Sequence, residues 1–465
     1  MSIPGAIIVP HPPLIIPAVG RGEERKIQAT VDAYRAAARR VAAWEPEVLI
    51  VTTPHLVAYS DYFHISPGRA AAGDFSAYRA PQVRIEADYD IELRNAVIAE
   101  AERAGIPAGT LGERDAALDH GTMIPLYFLR EAGVCCPILR VGLSGFSGQE
   151  HYRFGQCIAA AAERLGRRAV WVASGDLSHK LLAEGPYGFA PEGPVYDRMV
   201  TELMASGDFL GLLTMPPALC SRAAECGQGS FLIMAGALDG LAVEPELLSH
   251  EGPFGVGYGV ATFTVTGYDD ARRFGERYQA AERQRLAAQR AAEDPWVRLA
   301  RLSVETYVRT GKPLDRLPDD LPDELLRQRA GAFASLHVGD RLRGCIGTTA
   351  PTTESVAWEI VQNAVSACSR DPRFPPVRVS ELDSLEYSVD VLGEPEPIIS
   401  ASQLDVKRYG VIVSCGTRRG LLLPDLDGVD TPERQIDIAR QKGGIGALEK
   451  YRLQRFEVVR HRAFS

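Results

Sequence analysis

The chain has 465 residues, more than one hydrophobic core usually supports, so we expect two or three domains. Its composition is 46% hydrophobic and 24% charged, and its formal net charge of -9 argues against a nucleic-acid binder, which normally carries a basic patch. No apolar stretch reaches the roughly 18 residues of a membrane span, so we expect no membrane partner. The N-terminus lacks a signal-peptide pattern, and the cysteines include no Cys-x-x-Cys pair. We therefore expect a cytoplasmic protein with reduced thiols.

Residues 1–266 alternate strand-like apolar runs with helix-permissive stretches, which predicts an α/β sheet with helices on its faces. The strands are expected at 6–10, 48–54, 136–143, 169–178 and 255–265. The helices are expected at 27–44, 91–104 and 151–165.

A change of composition marks the end of this first domain. Residues 267–294 are polar and charged, which predicts a solvated helical linker. Residues 295–465 form a second, smaller predicted domain, with helices at 296–310 and 356–369 and strands at 332–338 and 385–392.

Three histidines, His11, His55 and His179, follow apolar runs where strands are expected to end. In α/β sheets, ligands bind beyond the carboxyl ends of the strands. Two imidazoles delivered there with one carboxylate make a facial metal site with open positions. The pattern therefore indicates ferrous dioxygen chemistry. A fourth histidine, His120, lies in the segment Asp119–Leu126.

The residues around these histidines resemble a known family. They are similar to the class III extradiol dioxygenases of the LigB type, whose sheet is shared by the MEMO proteins, over roughly residues 3–266. The segments that carry the resemblance are Val9–Leu14, Thr53–His55, Leu118–Thr122 and Ser174–His179. The resemblance implies a mixed sheet with flanking helices.

The resemblance also implies a role for each residue. His11 and His55 match the two iron-binding histidines, so the implied cofactor is Fe(II), although zinc or copper would accept the same ligands. His179 matches the histidine that moves the substrate proton, and Asp176 could orient it. His120 matches a histidine beside the substrate or bound dioxygen. The implied partners are a small catechol-like aromatic substrate and dioxygen.

The third metal ligand has three candidates. Glu225 is the carboxylate nearest to the place where the family has its glutamate. Cys226 is similar to the Cys-Gly start of the same helix in MEMO proteins, and a thiolate would change the metal preference. Glu251, before a glycine-rich turn, is the third candidate. We take Glu225 as the first choice and leave the other two open.

The C-terminal domain resembles the AMMECR type over roughly residues 295–460, which implies a smaller α+β fold. The segments that carry this resemblance are 342–348, 371–376, 420–424 and 442–445. Cys345 lies between glycines and close to Arg343, a cation that could lower the thiol pKa and create a second, nucleophilic site. A small buried cysteine at a tight turn is the alternative.

The fusion of the two domain types resembles the AmmeMemoRadiSam arrangement, in which such proteins accompany a separate radical SAM enzyme. The chain has no Cys-x-x-x-Cys-x-x-Cys run, so it is not that enzyme itself. Two functions follow as hypotheses: an extradiol-type dioxygenase, or a metal-binding accessory protein of a radical SAM-linked modification system without free catechol turnover. Both domain types are compatible with a homodimer.

Overall fold

The computed structural model describes residues 2–112, 117–339, 341–426 and 428–463. The chain divides into two compact units, Met1–Ala280 and Ala281–Ser465, called unit 1 and unit 2 below. Helix α10 (Phe274–Ala292) belongs to both ranges and lies within the charged segment expected to be helical.

Unit 1 is built on an α/β pattern. Its strands are β1 (Gly5–Val9), β2 (Val48–Thr53), β3 (Phe63–His64), β4 (Ala70–Phe75), β5 (Ala80–Asp88), β6 (Ala108–Gly109), β7 (Ile138–Gly142), β8 (Ala169–Ser174), β9 (Leu241–Glu251) and β10 (Tyr258–Tyr268). Its other helices are α1 (Pro17–Gly20), α2 (Gln28–Ala43), α3 (Ile91–Arg103), α4 (His120–Glu131), α5 (Gly148–Leu165), α6 (Glu192–Ser206), α7 (Phe209–Leu213), α8 (Pro217–Ala223) and α9 (Gln228–Ala237).

The central sheet of unit 1 has six strands in the order β7-β2-β8-β1-β10-β9. The first four are parallel, and β10 and β9 are antiparallel to their neighbours, so the sheet is mixed as expected. Neighbouring residues of one strand enter different cores: Ile7 packs on one face and Ile8 on the other. Burial on both faces explains why these strands read as continuous apolar runs.

The parallel strands end side by side at one edge of the sheet. Val9 of β1 pairs with Ser174 of β8, and Thr52 of β2 pairs with Ala173. The residues that follow β1, β2 and β8 therefore meet at this edge, as the position of the histidines predicts. His120 differs from the other three, because it opens α4 behind the N-cap residue Asp119.

Three features of unit 1 differ from the expectations. The last strand begins at Tyr258 rather than at residue 255, because Gly255 has a positive φ of 84° and belongs to a turn. Strand β9, at the sheet edge, was not predicted, since it contains Pro245 and several glutamates; an edge strand tolerates both. The hairpin of β4 and β5 was also missed.

Unit 2 is an α+β fold. Its strands are β11 (Ala332–Val338), β12 (Arg341–Gly347), β13 (Glu386–Leu392), β14 (Glu396–Ile398), β15 (Tyr409–Cys415), β16 (Arg418–Leu422) and β17 (Arg452–Arg462). Its helices, besides the end of α10, are α11 (Pro295–Thr310), α12 (Asp323–Arg327), α13 (Val356–Ser369) and α14 (Pro432–Lys442).

The strands of unit 2 pair antiparallel in the order β12-β11-β13-β17-β15-β16, and β14 pairs with β17. Apolar residues of α11 and α13 form one core with β11 and β13. Within the described part of the chain, no helix combines the length and the apolar character needed to cross a bilayer.

Candidate metal centre

Three side chains converge at the carboxyl edge of the unit 1 sheet. The ligand atoms of His11, His55 and Cys226 all lie within 4.8 Å of one another. The two Nε2 atoms are 3.0 Å apart, and Cys226 Sγ lies 3.6 Å from His11 Nε2. A tetrahedral ion with bonds of about 2.0 Å to nitrogen and about 2.3 Å to sulfur would place nitrogen and sulfur about 3.5 Å apart. The residues present therefore fit a metal ion.

A hydrogen-bond chain selects the tautomer of His11. Ser174 Oγ donates to the carbonyl of Gly121 at 2.6 Å, so this hydroxyl has no second proton to give. Its oxygen lies 2.9 Å from His11 Nδ1 and accepts the proton there. His11 Nε2 is therefore left with its lone pair facing His55 and Cys226, as a metal ligand requires.

Close backbone contact brings Cys226 to the histidines. A Cβ atom added to Gly175 would lie 2.2 Å from the Cα of Gly227, so neither position has room for a side chain. This contact places Cys226 against the loop after β8, where the N–H of Asp176 donates to Sγ at 3.3 Å. Gly121 is restricted in the same way, since its Cβ would lie 2.5 Å from Thr53 Oγ1 and 3.3 Å from the His55 ring.

His179 lies beside this group and is held by two neighbours. Its Nδ1 donates to the carbonyl of Ala224 at 2.5 Å, which leaves Nε2 free to accept a proton. Nε2 lies 3.9 Å from Asp176 Oδ2. Burial lowers the pKa of His179, but the Asp176 carboxylate outweighs it, so the pKa lies above its ordinary value. This arrangement suits a general base that becomes an imidazolium.

His120 completes the cluster of imidazoles. Its ring centroid lies 4.0 Å from that of His55 and 5.4 Å from that of His11. Burial, with His11 next in weight, lowers its pKa, so the ring is neutral at physiological pH. Asp119, the preceding residue, is paired with Arg140 at 2.9 Å, and the Arg140 side chain is only 2% exposed. This buried ion pair supports the start of α4.

The three convergent side chains differ in protonation. Burial, and then the neighbouring His11 and His120, lower the pKa of His55 to about 4, so this imidazole is a neutral ligand at physiological pH. Burial raises the pKa of the Cys226 thiol well above its ordinary value, and the Asp176 carboxylate adds to the effect. A metal must therefore displace the thiol proton to bind sulfur.

The two candidate glutamate ligands make hydrogen bonds elsewhere, and the three side chains that converge include Cys226, the alternative left open above. Glu225 Oε2 accepts the backbone N–H of Gln228 at 2.6 Å at the start of α9. Glu251 accepts both the N–H and the hydroxyl of Thr30 at 2.7 Å near the start of α2. Of the two adjacent residues, Cys226 is the one whose Sγ lies 3.6 Å from His11 Nε2.

The second predicted site, in unit 2, lacks the expected activation. Arg343 is engaged by Glu381, with Nε 2.7 Å from Oε1. Cys345 receives a hydrogen bond from Ser335 Oγ, with 3.2 Å between oxygen and sulfur. Burial raises the pKa of this thiol, and the lowering effects of Ser335 and Arg373 do not reverse it. The arrangement therefore gives no support to a thiol activated by Arg343, and a nucleophilic Cys345 stays a prediction.

Sequence reasoning missed several residues of the site. Ser174 begins the segment Ser174–His179 that carries the family resemblance, but the resemblance assigns it no role. Its place at the end of a strand beside His11 was a usable signal. Tyr78 and Tyr187, whose rings lie 5.9 Å from His120 and 5.0 Å from His179, were also missed. Tyr78 lies at the tip of the unpredicted hairpin, so no signal pointed to it.

Comparison with known proteins gives two family matches. Residues 5–261 match the family described as the catalytic LigB subunit of aromatic ring-opening dioxygenase, and residues 297–461 match AMMECR1. Protein CA_C1420 of Clostridium acetobutylicum is 37% identical over 470 aligned residues, covering 99% of this chain and all of that protein. A Thermotoga maritima protein is 50% identical over 173 residues, covering 37% of this chain and 98% of its own length.

Two solved structures also match parts of the chain. A protein of Pyrococcus horikoshii, 31% identical, covers 37% of this chain and 90% of its own, with a TM-score of 0.34. A protein of Escherichia coli K12, 15% identical, covers 56% of this chain and 99% of its own, with a TM-score of 0.38. The family matches span both units, and the full-length relative has the same extent. The chain therefore belongs to the LigB family of aromatic ring-opening dioxygenase catalytic subunits and carries an AMMECR1 domain fused behind its LigB domain.

Proposed function

We propose that the LigB domain is a metal-dependent oxidoreductase of the extradiol, ring-opening type, which uses dioxygen and a small catechol-like aromatic substrate. The observation that carries the proposal is the convergence of His11, His55 and Cys226 beside His179, an imidazole built to accept a proton. Family membership supports the reaction class. The proposed metal is Fe(II).

The three convergent side chains would hold the metal. Two neutral imidazoles and one thiolate carry the same total charge as two imidazoles and one carboxylate, so Cys226 can take the electrostatic part that a glutamate plays in a facial site. Three protein ligands leave positions for other groups. When bound, ferrous iron would supply the redox centre at which dioxygen and an aromatic diol meet.

His179 would handle the substrate proton. Its Nδ1 proton is committed to the Ala224 carbonyl, so only Nε2 can accept a proton from a substrate hydroxyl. The Asp176 carboxylate stabilises the imidazolium that results and keeps the pKa of His179 above its ordinary value. The imidazolium that forms can return its proton later in the cycle. His120, neutral and close to His55, can offer a hydrogen bond to a bound oxygen atom.

A specific observation favours a second candidate. At the third ligand position Cys226 offers sulfur, whereas a ring-opening dioxygenase would use a carboxylate there. Thiolates bind copper and zinc as well as iron. Together with the fused AMMECR1 domain, this supports a metal-binding accessory protein that works with a separate radical SAM enzyme and does not turn over free catechol.

Electron paramagnetic resonance separates the two functions. Anaerobic protein loaded with Fe(II) is exposed to nitric oxide, and the wild type is compared with His11→Ala and His55→Ala. An iron-nitrosyl signal present only in the wild type supports a ferrous site with an open position. Absence of the signal in folded wild-type protein would overturn the oxygenase proposal and favour the accessory function.

Dioxygen uptake then tests the assigned base. Ferrous wild type and His179→Ala are compared with catechol-type substrates. The proposal requires that the variant retain its metal and lose substrate-dependent uptake. Unchanged uptake would remove His179 from the mechanism.

A further inference from the structure

Two tyrosine rings stand exposed beside the imidazole cluster. Tyr187 is 61% exposed and its ring centroid lies 5.0 Å from that of His179. Tyr78 is 36% exposed and its ring centroid lies 5.9 Å from that of His120. Aromatic rings are normally buried for most of their area, so two exposed rings beside one polar site indicate a surface that contacts a ligand.

The backbone around Tyr187 is anchored. The loop that carries it is closed by an antiparallel bridge between Leu181 and Phe189. Its other side rests on the turn at Gly255, where a Cβ added to Gly185 would lie 3.1 Å from the Gly255 Cα. The N–H of Leu181 also donates to the Gly255 carbonyl at 3.1 Å. The loop therefore presents Tyr187 from a fixed position.

Tyr78 is presented by a different element. It ends the short 3-10 helix Ser76–Tyr78 at the tip of the β4–β5 hairpin. The next residue, Arg79, has a left-handed backbone with φ 61°, a conformation that costs a non-glycine residue energy and is retained mostly where the geometry matters. Burial, and then the Tyr187 phenol, raise the pKa of Tyr78.

We propose that Tyr78 and Tyr187 are the specificity-determining residues of this site, flanking a flat aromatic ring and selecting it over aliphatic ligands with the same metal-binding oxygens. The inference rests on the proposed function and names its substrate class through residues of this chain. One ring lies beside His120 and the other beside His179, so both rings border the site of the three candidate metal ligands. Offset or edge-to-face contact with two rings adds binding energy for an aromatic ligand. A small aliphatic ligand gains no comparable binding energy from these rings.

The test compares two probes that both bind iron through two oxygens. The aromatic probe is 4-nitrocatechol, followed by its visible absorbance, and the aliphatic probe is acetohydroxamate, followed by its competition with the first. Binding to anaerobic Fe(II)-loaded protein is measured without turnover for wild type, Tyr78→Ala, Tyr187→Ala and the matching phenylalanine variants. Tyr268→Ala is the control, because Tyr268 is 74% exposed at the far end of β10.

Each alanine variant should weaken 4-nitrocatechol about five- to tenfold and leave acetohydroxamate unchanged. The phenylalanine variants should retain most of the aromatic affinity, and Tyr268→Ala should behave as wild type. Equal losses for both probes, or no loss for either, would overturn the inference while leaving the proposed function intact. If neither probe binds the metal-loaded wild type, the proposed function fails and this inference fails with it.

Discussion

Asp176 connects His11, a candidate metal ligand, with His179, the proposed base. Its Oδ1 accepts the backbone N–H of His11 at 2.8 Å, and its Oδ2 lies 3.9 Å from His179 Nε2. The carboxylate is buried, and although burial raises its pKa, His11 and His179 outweigh this and keep the pKa below the ordinary value. One anion therefore supports both the ligand and the base.

Asp176→Asn should separate these two effects. The amide keeps the size of the side chain and can still accept from His11, so metal content should stay close to that of wild type. Without the negative charge the pKa of His179 falls, so the acid limb of the dioxygen-uptake profile should move to lower pH and the maximal rate should fall about tenfold or more. An acid limb at its wild-type position would show that Asp176 does not set the protonation of His179.

Substitution of Cys226 and of Glu225 tests which of these two candidates binds the metal. Cys226→Ser should lower metal affinity at least about tenfold, because serine is a poor substitute for a thiolate. Glu225→Gln should retain the metal, since Glu225 contacts Gln228. Cobalt-substituted protein provides the readout, because a thiolate gives a sulfur-to-cobalt charge-transfer band. A band that persists in Cys226→Ser would exclude Cys226 as a ligand.

Metal affinity should depend on pH with a slope of one proton. His55, with a pKa of about 4, is already neutral above about pH 5 and releases nothing, whereas the Cys226 thiol stays protonated until an ion displaces its proton. The association constant should therefore rise about tenfold per pH unit between about pH 7 and pH 8. Calorimetry in buffers of different ionisation enthalpy counts the released proton. A pH-independent constant would contradict thiolate ligation.

The buried ion pair of Asp119 and Arg140 should dominate the stability of this region. Asp119→Asn removes the carboxylate that lies 2.9 Å from Arg140, whose side chain is 2% exposed, and this should cost about 3 kcal/mol in the free energy of unfolding. Chemical denaturation measures the change. The control is Glu23→Gln, because the exposed Lys26–Glu23 pair contributes less than about 1 kcal/mol. Equal effects of the two substitutions would contradict the assignment.

The same pair predicts the direction of acid sensitivity. Burial raises the pKa of Asp119, but Arg140 and two threonine hydroxyls lower it by more than burial raises it. The pKa therefore lies below the ordinary value. The contribution to stability is therefore complete at neutral pH and is lost as the pH falls through the lowered pKa. Asp119→Asn should show a smaller loss of stability between about pH 5 and pH 3 than wild type.

Cysteine alkylation tests the second site. Cys135 is exposed, whereas Cys345 is partly buried and its thiol pKa is raised by that burial. Iodoacetamide at about neutral pH should modify Cys135 at least about ten times faster than Cys345, as peptide mass spectrometry would record. Faster reaction at Cys345 would contradict this order and would support a thiol activated by Arg343.

The strands that carry the site could be predicted because burial on both faces leaves a continuous apolar run, and β1, β2 and β8 are such runs. The third metal ligand could not be predicted. Glu225 and Cys226 are neighbours, and the contact between Gly175 and Gly227, distant in sequence, decides which one faces the histidines. The hairpin that carries Tyr78 was missed because its alanines and glycine show no clear alternation.

The glycine contact has a consequence for how the site acquires its ion. His11 is oriented by Ser174, and Cys226 is held where the backbones of Gly175 and Gly227 touch, so these two ligands are set by contacts within the protein. The conformational entropy lost in bringing them together is lost during folding, so it does not weaken metal binding. Preorganisation of this kind predicts that unit 1 stays folded when a chelator removes a bound ion.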